Sequence, residues 1–266
     1  MTNAADTANT ATPQPTLFLS HGAPNLLLGD LPVRRFLEGL GDIVPRPRAI
    51  LCVSAHWLTR EPTVDTSPRP RTIHDFGGFE PECYEMTYDA PGAPDLAIEV
   101  ADTLAGAGIA VERVERGLDH GAWVPLRAAW PGADIPVTQL SLQPRRTADH
   151  HYRLGLALAQ LRRDNVLVIG SGGATHNLGA LGPGMHLPDW AAAFDTWLDE
   201  HVQAGDADAL IDWEARAPFA ARNHPSNDHY LPVLTALGAA GDGARGTTLH
   251  ASAAYGSLSL RAFAFA

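Results

Sequence analysis

Residues 49–57 read Ala-Ile-Leu-Cys-Val-Ser-Ala-His-Trp, a nearly continuous apolar run that turns polar only toward its carboxyl end. A run this short, lacking the alternation of a half-solvated strand, suits a strand of a sheet covered on both faces. Other stretches share the form. Residues 16–20 (Thr-Leu-Phe-Leu-Ser) lead into His21-Gly22, and residues 165–171 (Asn-Val-Leu-Val-Ile-Gly-Ser) lead into Gly172-Gly173. Residues 135–142 (Ile-Pro-Val-Thr-Gln-Leu-Ser-Leu) also read as a strand. Between them the apolar spacing turns helical: Val33, Phe36, Leu37 and Leu40 follow a start at Asp30 or Pro32. Helices are expected over 94–107 and 122–130, and from a Thr147 cap to about Arg163. A strand over 109–115, helices over 188–204 and 228–240, and strands over 246–251 and 256–264 complete the pattern. Strands alternating with helices predict a single α/β domain, its central, mostly parallel sheet flanked by helices.

Two segments stand apart. Residues 1–15 are rich in Ala, Thr and Asn and read as a disordered tail, so the folded domain is expected over 16–266. Residues 58–92 are rich in Pro, Gly, Thr and aromatics with no helical period. They read as irregular loops with a short hairpin, long enough to wall a pocket.

Composition narrows the function. The 266 residues carry 19 Lys+Arg against 30 Asp+Glu, a net charge of −11. Such a surface repels phosphate backbones and anionic lipid, so neither nucleic acid nor membrane is an expected partner. Cys52 and Cys83 are too few for a disulfide framework, and a cytoplasmic location is expected. The chain also carries 12 histidines but only 3 methionines.

Placement gives those histidines meaning. His21, His56 and His176 lie where apolar runs end or pass into loops, and His120 lies between a strand and a short helix. In open α/β sheets ligands bind beyond the carboxyl ends of the strands, so these imidazoles are expected to converge on one crevice. His229, at a helix start, could close the set. Gly or other small neighbours at His21, His56 and His176 let the backbone approach an ion or ligand. His74, His150, His151, His186, His201 and His250 read as ordinary hydrogen-bonded histidines. Gly170-Ser171-Gly172-Gly173-Ala174 is neither a phosphate loop nor a Gly-x-Ser-x-Gly nucleophile elbow. On spacing alone a metal site is favoured over separately hydrogen-bonded histidines.

The strings LFLSHGAP, SAHW, IHDFGGF, YDAPGAP, GLDHGAW, GSGGATHNL, HPSNDHYLP and YGSLSL occur in this order over nearly the whole chain from Thr16. Together they resemble the class III extradiol ring-cleavage dioxygenases of the LigB superfamily, specifically the DODA-type (4,5-DOPA extradiol dioxygenase-like) branch. The resemblance implies a divalent metal held by His21, His56 and His229, with His176 as acid/base and His120 contacting substrate or oxygen. Family members commonly have Asn-Pro-Thr ahead of the third ligand. Here Asn223-His224-Pro225-Ser226 stands in its place, which makes His224 a rival to His229. Some members are described with the His176 counterpart as a ligand.

The implied reaction opens a catechol-type ring with O₂ on Fe(II), a metal that takes up both ring oxygens and O₂ at open positions. Three histidines also suit Zn(II), the ion expected in protein as purified, which has no redox chemistry. Asp75, Asp119 and Asp228 are candidates to join the shell. Trp57 and the loop 74–79 could wall an aromatic pocket, and an acidic substrate would call for Arg60, Arg69, Arg71 or Arg222. Two other classes compete: a zinc hydrolase, which needs a general base that no motif supplies, and a non-catalytic metal- or small-molecule-binding protein.

Overall fold

A computed structural model describes residues 12–266. Eight strands form one sheet: β1 (Thr16–Ser20), β2 (Ala49–Leu58), β3 (Thr63–Asp65), β4 (Glu112–Val114), β5 (Val137–Leu142), β6 (Val166–Gly172), β7 (Gly246–His250) and, last in the chain, Ala262–Phe265. Their order is β4-β3-β5-β2-β6-β1, then the C-terminal strand, then β7. The centre is parallel, with β5, β2, β6 and β1 running together. The C-terminal strand is antiparallel to both β1 and β7, and β3 meets β5 antiparallel at Val64 and Leu140. The mixture follows from the connections: helices separate the parallel strands β1, β2, β5 and β6 along the chain, whereas β2 runs directly into β3 and the last two strands of the sheet fold back on each other.

Every residue of β1, β5 and β6 is buried, as the unbroken apolar runs require. Successive side chains serve opposite faces. Phe18, Leu51, Val53, Val166 and Val168 pack on one side with the helices Pro94–Gly106, Ala148–Ala157, Asp189–Ala204 and Leu231–Ala240. Leu17, Leu19, Ile50, Cys52, Leu167 and Ile169 pack on the other with Pro32–Glu38 and His120–Ala129. The result is a single α/β domain of three layers. Among the described residues no helix is long and apolar enough to cross a membrane.

Several expectations change in detail. Thr147 does cap its helix, accepting the His150 N–H, but the α-helix ends at Ala157 and a 3₁₀ turn over Ala159–Asp164 continues it. The stretch 58–92 forms no hairpin. Its one strand, β3, pairs with the distant β4 and β5, contacts that local sequence cannot announce. Most of the expected disordered tail, residues 1–11, lies outside the described residues. Gln14 is already buried, donating from Nε2 to the Pro45 carbonyl and to Asn165 Oδ1, so packing begins before Thr16.

Candidate metal centre

The parallel strands all point their carboxyl ends at one crevice, and the chain delivers five histidines there. His21 follows the last residue of β1, its N–H donating to the Gly172 carbonyl on β6 at 3.1 Å. His56 lies near the end of β2. His120 is the first residue of a helix whose N-cap, Asp119, accepts the Ala122 N–H. His229 precedes the helix Leu231–Ala240 and is tied to β6 by the Gly173 N–H, which donates to its carbonyl at 3.0 Å.

Two glycines permit this convergence. A Cβ on Gly172 would stand 2.2 Å from the His229 carbonyl oxygen, so only glycine lets that segment lie against β6. A Cβ on Gly121 would stand 2.3 Å from Ser54 Oγ and 3.1 Å from His56 Cδ2, so glycine again admits the imidazole beside the helix.

The ring nitrogens of three histidines meet. His56 Nε2 lies 3.0 Å from His21 Nε2 and 3.2 Å from His229 Nε2. On the far side of each ring, Nδ1 faces an acceptor. His21 Nδ1 lies 3.0 Å from Ser171 Oγ, whose own hydrogen goes to the Gly121 carbonyl, so Ser171 accepts and His21 Nδ1 donates. His229 Nδ1 lies 2.5 Å from Asp228 Oδ2, and His56 Nδ1 lies 3.5 Å from Asp75 Oδ2. A neutral imidazole carries one N–H. With that hydrogen on Nδ1, each Nε2 presents a lone pair to the same point. Three lone pairs this close repel one another, and a cation placed between them would relieve the repulsion. At bond lengths of about 2.1 Å, nitrogens at right angles on one ion stand about 3.0 Å apart, so the spacing fits a first-row metal.

Burial keeps these rings neutral, which is the ligating form. His21 is driven well below the ordinary imidazole value by burial, then by the neighbouring histidines. Burial likewise takes His56 down to about 4, with His120 adding to the effect. It takes His229 to about 3, the Asp228 hydrogen bond opposing it.

The remaining two histidines flank the three. The His120 ring lies against His56 with centroids 3.8 Å apart and planes tilted by 45°, and the coordinating atoms of His21, His56 and His120 all fall within 4.8 Å of one another. Its Nδ1 stands 3.0 Å from Asp75 Oδ1, though poorly aligned for a hydrogen bond, while the same carboxylate accepts the His120 backbone N–H at 2.9 Å. Burial alone would raise the Asp75 carboxyl; its contacts with the His120 ring and backbone N–H outweigh it and hold the group at about 2. His176 lies flat on His229, with centroids 3.4 Å apart and planes 3° from parallel, and burial lowers its pKa.

Among the described residues no carboxylate reaches in beside the Nε2 atoms. Asp75 and Asp228 orient histidines from behind, and Asp119 is spent on Ser54 Oγ, Arg116 Nη1 and Gln139 Nε2 at 2.6, 2.9 and 2.9 Å. His224 stands apart, its Nε2 donating to the Ala174 carbonyl and its ring packed among Phe194, Trp213 and Tyr230. Of the histidines set aside, His74, His151 and His201 bond backbone carbonyls, and His150 and His250 bond polar side chains.

A cavity of about 310 Å³ opens over the cluster, with His21, His56, His120, His176 and Asp75 at its polar end. Phe76 and Phe79 from the loop 74–79 line it, as that loop's aromatic content suggested, together with Leu178, Leu258 and Leu260. Trp57 does not line it; its ring lies under the Arg116 guanidinium at 4.8 Å. Nor does Arg60, Arg69, Arg71 or Arg222. Sequence reading missed Ser171 and the C-terminal wall. Ser171 was visible only as a member of a glycine-rich turn, and Leu258–Leu260 only as strand.

Known proteins resemble this chain over most of its length. Residues 32–263 match the family described as the catalytic LigB subunit of aromatic ring-opening dioxygenase. A Beta vulgaris protein named 4,5-DOPA dioxygenase extradiol is 42% identical, the alignment covering 94% of this chain and 96% of that one. An Escherichia coli K12 protein of the same name is 37% identical over 88% of each. The crystal structure of an uncharacterized Escherichia coli K12 protein superposes with a TM-score of 0.79 at 32% identity, covering 94% of this chain and 99% of the other. The chain belongs to the LigB family of aromatic ring-opening dioxygenases.

Proposed function

We propose that this protein is an extradiol dioxygenase that opens a catechol-type ring with O₂, using one divalent ion held by His21, His56 and His229. The observation that carries the assignment is the meeting of their three Nε2 atoms at 3.0 and 3.2 Å with every Nδ1 directed at an acceptor. His120 also brings a ring nitrogen within 4.8 Å of His21 and His56, but its Nδ1 is turned to Asp75, so it is assigned to the substrate side rather than to the ion. Fe(II) is the active metal and Zn(II) an inactive occupant of the same nitrogens.

When bound, Fe(II) supplies redox chemistry and open positions for the two ring oxygens and O₂. The chain's own residues do the rest. His176, neutral at pH 7 because burial disfavours its charged form, takes a proton from the catechol hydroxyl and returns it as the ring opens. His120, with Nδ1 toward Asp75, turns Nε2 to the cavity and hydrogen-bonds the reacting oxygen or a ring hydroxyl. Phe76 and Phe79 hold the aromatic ring and exclude water. The free, buried Cys52 and Cys83 support a cytoplasmic location.

The test is oxygen uptake by stripped protein reloaded anaerobically with Fe(II) or Zn(II), followed with the absorbance of the ring-opened product across a panel of catechols. Uptake is expected with Fe(II) alone. Stoichiometric Zn(II) without turnover of any catechol under either metal would favour a non-catalytic binding protein.

A further inference from the structure

Asp75 faces two histidines of the site, and the segment that carries it gives those contacts a further consequence. Residues 74–79 read His-Asp-Phe-Gly-Gly-Phe. Among the described residues, none of their backbone groups is hydrogen-bonded to another backbone group. A Cβ on Gly77 or Gly78 would meet nothing within 4 Å, and Gly78 sits at φ +80°, so the tip of the segment is unpacked. The chain just before it is fixed. The Ile73 N–H donates to the Leu118 carbonyl at 2.8 Å, and Trp123 Nε1 donates to the Ile73 carbonyl at 3.0 Å. From there on side chains hold the segment. His74 Nε2 donates to the Met86 carbonyl at 2.9 Å, and the Phe76 ring stands edge-on to His120, centroids 5.6 Å apart and planes at 87°.

Asp75 links this segment to the ion site. Its Oδ1 accepts the His120 backbone N–H at 2.9 Å, and its Oδ2 stands 3.5 Å from His56 Nδ1. One carboxylate thus reaches both the helix start that carries His120 and the back of a ring whose Nε2 meets those of His21 and His229.

We propose that Asp75 is a positioning residue that couples the aromatic segment 74–79 to metal occupancy, so that a divalent ion on His21, His56 and His229 holds Phe76 and Phe79 in place. The inference rests on the ion site assigned above. A cation on Nε2 draws electron density from the imidazole and makes the Nδ1–H a stronger donor to the carboxylate behind it. Outer carboxylates of this kind change metal affinity by about 10–100-fold. Linkage makes the effect mutual: what the fastened segment does for the ion, the ion does for the segment. The aromatic wall is therefore loose in metal-free protein, and the ion precedes the catechol in assembling the cavity.

Chymotrypsin, which cleaves after Phe, reads the segment, and Zn(II) serves as the ion so that no turnover is needed. Cleavage after Phe76 and Phe79 is followed by mass spectrometry, with a chromogenic peptide correcting for any effect of Zn(II) on the protease. Zn(II) affinity is measured by calorimetry. Saturating Zn(II) should slow both cuts by about tenfold or more in the unaltered protein. Asp75→Asn keeps the shape of the side chain and one acceptor. Whichever way the amide turns, its NH₂ opposes either the His120 N–H or the His56 Nδ1–H. This variant should bind Zn(II) about tenfold or more weakly and, once saturated, show no slowing. A merely structural role for Asp75 would raise cleavage equally with and without the ion, and an unchanged Zn(II) effect in the variant would overturn the proposal. Full Zn(II) occupancy of the unaltered protein without slowing would also overturn it, leaving the ion site standing. Failure of the unaltered protein to bind Zn(II) would overturn the ion site and the coupling together.

Discussion

Gly172→Ala turns the packing behind His229 into a measurable loss. The added Cβ would lie 2.2 Å from the His229 carbonyl oxygen and 3.1 Å from Pro232 Cγ. Carbon and oxygen ordinarily approach no closer than about 3.3 Å, so the segment carrying His229 must retreat by roughly 1 Å. Its Gly173 N–H bond would be stretched by the same movement. Metal donors are held to about 0.2 Å, so a shift of that size removes one nitrogen from the set. Metal affinity should fall by about 100-fold or more, on the order of 3 kcal/mol, against a strain cost to folding of about 1–3 kcal/mol. Equilibrium dialysis with Fe(II) under argon measures the first, and urea denaturation the second. Gly173→Ala is the control: its Cβ would meet nothing nearer than the Thr175 carbonyl at 3.3 Å, so metal affinity should stay near that of the unaltered protein. A folded Gly172→Ala protein with undiminished affinity would refute the argument that this contact seats the third donor.

Three other outcomes follow from the geometry. His176→Ala should abolish oxygen uptake while metal content by elemental analysis stays near one ion per chain; loss of the ion would make His176 a ligand instead. Asp119→Ala strips the partner from Ser54, Arg116 and Gln139 inside the fold and should cost about 3 kcal/mol, read as a lowered urea midpoint. His151 donates from Nδ1 to the Thr147 carbonyl and accepts the Gln143 N–H at Nε2, and burial holds its pKa at about 4. Its unfolded value is about 6.5, so the unfolded chain binds the extra proton first: the stabilisation is complete above pH 6.5 and is lost as pH falls toward 4, by up to about 3 kcal/mol. The metal-free protein should show that slope and His151→Gln a shallower one; identical slopes would remove His151 from the account.

Much of the fold was legible because its central strands are buried on both faces and therefore carry unbroken apolar runs. Residues 49–57 and 165–171 announce β2 and β6 almost to the residue. Weak elements were less visible. β3 owes its existence to pairing with β4 and β5, far away in sequence, and at three residues it is too short for Thr63 and Val64 to announce it. The histidines were legible for a related reason: strand ends in a parallel sheet share one edge, so His21 and His56 must come near each other. Their partners were not. Asp228 was visible as a candidate ligand but not as the acceptor behind His229, and Ser171 orients His21 by a hydrogen bond whose direction no spacing rule encodes. The apolar wall formed by Leu258 and Leu260 likewise depends on how the C-terminal chain folds back beside β1, a tertiary fact.

The central claim is that three particular imidazoles hold the ion and two others do not. Metal content after anaerobic Fe(II) loading of the single variants His21→Ala, His56→Ala, His229→Ala, His120→Ala and His176→Ala tests it directly. The account predicts that the first three lose the ion and the last two keep close to one per chain. Retention by His229→Ala together with loss by His120→Ala would contradict it.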